Sequence, residues 1–194
     1  MENRIKTALE KALERVENLQ VSESELLRME LIPKGQAIAA KFLQDKNFHL
    51  EEDLNHYRGT ARRIIIEGLQ ETFLRNIHPP ANESVADINR RAMEGIMLIK
   101  EDKRALLEVF SEIEYLFQYY TEALKHSYAN LKEAFSQRTD AAKQLLEEQM
   151  GIRVRIDVEK HPAFQEEWLR TLNELNRRYE AILDEHKERI RRMR

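Results

Sequence analysis

The chain contains no cysteine. That excludes disulfides, thiolate nucleophiles and the cysteine-based zinc and iron–sulfur sites. It also fits a reducing compartment. Glycine and proline are scarce, at 5 and 4 residues, too few for the many turns of a β-sandwich or barrel. No apolar run approaches the roughly 18 residues a membrane-spanning helix needs; Ile64–Ile66 and Ile96–Ile99 are short. Neither sign of charge dominates: 32 Lys and Arg stand against 35 Asp and Glu, for a net charge of −3. The two signs are interspersed over most of the length, so bulk electrostatics gives no case for a nucleic acid or membrane partner. Gly-x-Ser-x-Gly, a glycine-rich phosphate loop and Glu-x-x-His are all missing. With them go the usual sequence signatures of α/β-hydrolases, P-loop enzymes and di-iron bundles.

What is present suits helices. Hydrophobic residues are 42% and charged residues 35%, a balance that fits elements burying one stripe and solvating the rest. The opening Met-Glu-Asn-Arg-Ile-Lys leads into an amphipathic pattern rather than a continuous apolar core, so no signal peptide is expected and a cytoplasmic location follows as the default. The stretch from Ser84 to Gly151 has no proline, and Gly95 is its only internal glycine. Leu106, Phe110, Ile113, Phe117, Tyr120 and Leu124 recur within it at steps of three and four, a heptad seam. A break could fall at the charged cluster Lys100–Lys103 or near Ser136–Asp140, but neither place holds a glycine or proline. One continuous helix over 84–150 is the preferred reading, reaching roughly 100 Å if unbroken.

The remaining segments follow the same logic. Ile5, Leu9, Ala12, Val16 and Leu19 predict a helix over 3–19. Ser22 with Glu25 forms a capping-box pattern that opens a helix over 23–45, with a kink or stop expected near Ile32 because Pro33 removes a backbone donor. A third helix over 49–77 carries Leu50, Leu54, Tyr57, Ala61, Ile64, Gly68 and Phe73 on its stripe. Gly59 and Gly68 weaken it by about 1 kcal/mol each, and Gly68 on the stripe suggests close approach of a neighbouring helix. His78-Pro79-Pro80 ends it. Ile152 to Val158 alternates like a strand, read as an extended crossover or as a strand paired with its copy in a homodimer. Pro162 opens a last helix over 162–191, whose seam is Trp168, Leu172, Leu175, Tyr179 and Ile182. The expected fold is all-α: a single domain over 1–194, an elongated antiparallel helical bundle or coiled coil with one very long helix and a short extended crossover.

Chemistry is thinly signalled. His49, Glu52, Asp53 and His56 form the best metal-like cluster, since imidazole and carboxylate suit zinc or iron. Seven residues separate the two histidines by about 10 Å along a helix, too far to share one ion, so each half would need ligands from elsewhere. Solvated or capping residues are the simpler reading, and no metal or cofactor is assigned. Phe110, Tyr115, Phe117, Tyr119, Tyr120 and Tyr128 wrap more than one face of the long helix. Core packing is the plain account; a partner-helix surface centred on Phe110, Phe117, Tyr120, Trp168 and Tyr179 is the functional one. The basic tail Lys187–Arg194 complements a helix C-terminus; contact with nucleic acid through so short a patch would be weak and salt-sensitive. The leading expectation is a non-enzymatic cytoplasmic scaffold or adapter that makes homo-oligomeric or other helix–helix contacts. The alternative is a bundle enzyme holding a metal or small ligand at His49–His56.

Overall fold

The computed structural model describes residues 22–150 and 157–193. The predicted helix 3–19 and nearly all of the extended segment 152–158 lie outside the described residues. Within them the protein is all-helical, with no strand. The order is α1 (Glu23–Gln44), α2 (Leu50–Leu54), α3 (Gly59–Arg75), α4 (Glu83–Ile99), α5 (Lys103–Met150), a 3-10 turn (Val158–Lys160) and α6 (Pro162–Arg192). Two compact units divide the chain, Met1–Thr72 and Phe73–Arg194.

In the first unit, Ser22 caps α1 reciprocally. The Glu25 N–H donates to its hydroxyl and the Glu25 carboxylate accepts from its backbone N–H at 2.8 Å. The expected stop at Ile32 does not occur, and α1 runs through Pro33. The ring deprives the turn of one donor, but the residues on either side of it are locked by packing: Leu31 before it and Ile38, Ala39 and Phe42 after it are all buried. Two glycines bring α1 and α3 together. A Cβ on Gly68 would stand 2.4 Å from the Ile32 carbonyl oxygen, and one on Gly35 would stand 2.3 Å from that of Ile65. The predicted role of Gly68 thus has a definite partner, Gly35.

The helix expected over 49–77 is instead two helices. Asn55 to Arg58 are non-helical, and Gly59 opens α3 with a φ of +53°. That left-handed conformation suits glycine and redirects the chain. The Arg62 guanidinium donates to the Leu54 carbonyl at 2.8 Å, satisfying an end of α2.

The second unit begins with the final turn of α3. Phe73 is fully buried, and its ring fills the space where a Gly95 side chain would project. The buried Asn89 side chain holds both backbone groups of His78, accepting from its N–H at 2.9 Å and donating to its carbonyl at 2.7 Å. The Asn82 side chain then caps α4. The continuous helix over 84–150 is corrected: the chain breaks at Lys100–Asp102. Lys100 is extended at φ −88°, ψ 148°, and the Asp102 carboxylate accepts from the Ala105 N–H at 3.0 Å, a fresh N-cap for α5. The buried Lys100 ammonium donates to the Met193 carbonyl at the end of α6, at 2.5 Å. Burial holds this lysine below its ordinary pKa.

α5 and α6 pack along each other. Their contacts run antiparallel: Glu112 meets Arg189, Tyr120 meets Asn176 and Tyr179, Tyr128 meets Trp168, and Phe135 meets Phe164 and His161. Among the described residues no helix is long and apolar enough to cross a membrane.

The glycine crossing gives a direct test. Replacing a helical glycine by alanine ordinarily stabilises by about 1 kcal/mol. In Gly68→Ala the new methyl must enter backbone rather than a flexible side chain, and overpacking of that kind costs about 1–3 kcal/mol. The variant should unfold at lower urea concentration than wild type; an equal or higher midpoint would contradict the crossing.

Candidate functional site

The aromatic residues of α5 separate into an inner and an outer set. Tyr120 belongs to the inner one. It is fully buried, its hydroxyl donates to Asn176 Oδ1 at 2.7 Å, and its ring meets Tyr179 edge-on with centroids 5.3 Å apart. Burial pushes its pKa up. Tyr128 stands edge-on to both Trp168 and Phe164, at 5.0 and 5.8 Å. Phe135 continues the ladder to Phe164 and His161. Such pairs add about 0.5–1.5 kcal/mol each beyond their burial. Tyr120, Trp168 and Tyr179, anticipated as a partner surface, therefore make contacts within the chain.

The outer set lies along a different stripe of α5. Leu107, Phe110, Glu114, Phe117 and Thr121 recur at steps of three and four, so they share one face about 20 Å long. Phe110 and Glu114 join Met93, Met97 and Leu98 of α4 to line a groove of about 270 Å³, with Arg90 and Glu94 at its edge. Further along, Phe117 and Thr121 line a second groove of about 420 Å³ with Pro80. At the start of this stripe Leu107 is 55% exposed, and beside it Tyr115 is 62% and Tyr119 70% exposed. Phe117 and the 7% exposed Phe110 thus line grooves. The methionines that complete the first groove carry no motif. Their signal is the i, i+4 step from Met93 to Met97 on an amphipathic helix.

The His49–His56 cluster does not assemble. His49 precedes α2 without capping it, and His56 Nδ1 lies 3.2 Å from the Asp53 carbonyl oxygen, a local contact. Among the described residues no three His, Asp or Glu side chains converge to hold a metal ion.

Charge closes both ends of the α5–α6 pair. Glu159 accepts from Lys132 at 2.5 Å and from the Tyr128 hydroxyl at 3.0 Å, and these donors hold its pKa down. At the other end Arg189 grips Glu112 with both terminal nitrogens. His186 Nδ1 lies 3.1 Å from the same carboxylate, outside hydrogen-bond geometry. The Arg189 hydrogen bond is the chief reason that the Glu112 pKa falls below its ordinary 4.5.

The site is thus a grooved surface of a helical protein rather than a polar catalytic cleft. Residues 51–192 match the model of a family of unknown function, DUF6657, and the chain belongs to that family. The match takes in α3 to α6 and leaves α1 outside. No curated protein and no solved structure matches the chain.

The Glu112 pair predicts a pH dependence. A carboxylate whose pKa is lowered by folding stabilises the native state above its unfolded value, and that stability is lost as pH falls through the folded value. Glu112→Gln should therefore lower stability at neutral pH, and the difference from wild type should shrink as the pH is taken well below the ordinary glutamate range. Urea titrations at neutral and acid pH check this; a gap that persists in acid would contradict it.

Proposed function

We propose that the protein is a non-enzymatic cytoplasmic scaffold or adapter that works through helix–helix contacts, first of all with a second copy of itself along α5. The observation that carries this reading is the α5 stripe that begins at exposed Leu107, lines two apolar grooves from Phe110 to Thr121 and is flanked by exposed Tyr115 and Tyr119. Methionines at the first groove suit a packing surface, because unbranched thioethers adapt to an incoming side chain. The rim carries both signs, Arg90 against Glu94 and Glu114. A patch holding both can pair with itself across a two-fold axis, Arg90 of one copy facing Glu114 of the other. The heptad spacing of the neighbouring seam permits coiled-coil packing of that second copy.

A stable interface of this kind buries about 1,200–2,000 Å² in total, so the flanking helices must take part beside the stripe. The full-length protein should give a dimer mass by light scattering. Leu107→Lys, at an exposed position, should keep the helical spectrum and weaken dimerisation by about tenfold or more, equivalent to about 1.4 kcal/mol. A monomer at every concentration would sink the reading, as would a dimer indifferent to both Leu107→Lys and Tyr115→Lys.

A further inference from the structure

A second cleft lies apart from the α5 grooves. Arg75 at the end of α3 and His78 in the following turn face Glu180, Asp184, Lys187 and Arg191 of α6 across about 280 Å³. That volume corresponds to roughly nine water molecules at their liquid share. The four α6 residues fall at i, i+4, i+7 and i+11, so they form one stripe. Charge along it changes sign once, two carboxylates and then two cations. The Asn89 bonds to both backbone groups of His78 fix the opposite wall.

Lys187 is the residue that needs an explanation. It is only 8% exposed. Its ammonium has one carboxylate neighbour among the described residues, Asp184 at 3.5 Å, whose own side chain is 69% exposed. The low exposure covers the aliphatic stem as well as the head, and the residue lines the cleft. Complementing the α6 dipole gives no reason for the burial, since cations do that from exposed positions, as Arg189 at this end of the helix can. An anion in the cleft would be within reach of Lys187, Arg191 and Arg75 together. Arg75 is exposed at the mouth and has no carboxylate partner among the described residues. Arg191 reaches the cleft while also bonding Glu188. At the acidic end His78 Nδ1 lies 3.8 Å from Glu180 Oε1.

We propose that this cleft binds a small ligand through an oxyanion group, phosphate or carboxylate, seated on Lys187, Arg191 and Arg75. Guanidinium and ammonium together suit such a group, the first through its planar fork and the second as a point charge. Glu180 and Asp184 then accept from amine or hydroxyl donors at the other end of the ligand. The full chain is titrated calorimetrically, at constant ionic strength, with inorganic phosphate, phosphoethanolamine and succinate. Saturable binding is expected, tighter for phosphoethanolamine than for phosphate, and weakened about tenfold or more by Lys187→Met. Arg191→Gln, at the rim, should weaken it in the same direction and guards against a Lys187 variant that fails to fold. Preference for phosphate over succinate would identify a phosphoryl group as the anchor, and the reverse a carboxylate. Absence of saturable binding by all three probes would overturn the proposal. So would affinities unchanged in both variants, or equal affinity for phosphate and phosphoethanolamine.

Discussion

The second unit depends on one buried cation. Lys100 ends α4, leaves the helix and places its ammonium on the carbonyl of Met193, the residue that caps the C-terminus of α6. A helix C-terminus has carbonyls without intrahelical partners, and a charged donor there satisfies both the orphan acceptor and the helix dipole. Because the turn that carries Lys100 also starts α5, the contact holds the beginning of α5 against the end of α6. Every rung above it, from Glu112–Arg189 to Phe135–Phe164, then falls into register by helical periodicity. The arrangement costs desolvation, visible in the depressed pKa of the lysine, and a charged hydrogen bond is strong enough to offset part of that cost.

The same contact explains where sequence patterns inform and where they mislead. Apolar spacing reports which face of a helix is covered, and it does so for α5, where Leu106, Phe110, Ile113 and Tyr120 are all buried; on α6 the fully covered residues are Phe164, Leu183 and Ile190, while Ile182 of the expected seam is 38% exposed. It cannot report a break in which the heptad phase happens to continue on both sides. The charged cluster Lys100–Lys103 marked the place, and Asp102 is a good N-cap residue, but a side-chain cap becomes visible only once the chain has turned. Gly59 misled in the opposite sense. Its cost to a helix is a fact of composition, while its left-handed φ is a fact of geometry. Pro33 shows the converse: a residue that breaks an isolated helix is tolerated where the flanking residues are packed.

The candidate surface was partly legible for a related reason. An aromatic residue at a seam position packs against something, and the sequence does not say whether that neighbour is in the same chain. Phe110 and Phe117 fall at grooves, whereas Tyr120, Trp168 and Tyr179 are consumed by α5 packing on α6. The cleft at Lys187 had no linear signal. Its walls come from residues 74–78 and 180–191, and a lysine among charged neighbours at a helix end reads as solvated until its low exposure is seen.

The crossing of α1 and α3 has a consequence for alignment. Gly35 and Gly68 meet backbone to backbone, each closing on a carbonyl of the other helix. Side-chain cores tolerate small slides, because rotamers readjust. This contact does not, since moving either helix by one residue would bring Gln36 or Leu69 to a place with no room for a Cβ. The pair therefore acts as an index mark. It fixes the sliding coordinate of the two helices in steps of a single residue, and an insertion or deletion between residues 36 and 67 must be absorbed by the α2 region rather than by shifting the crossing.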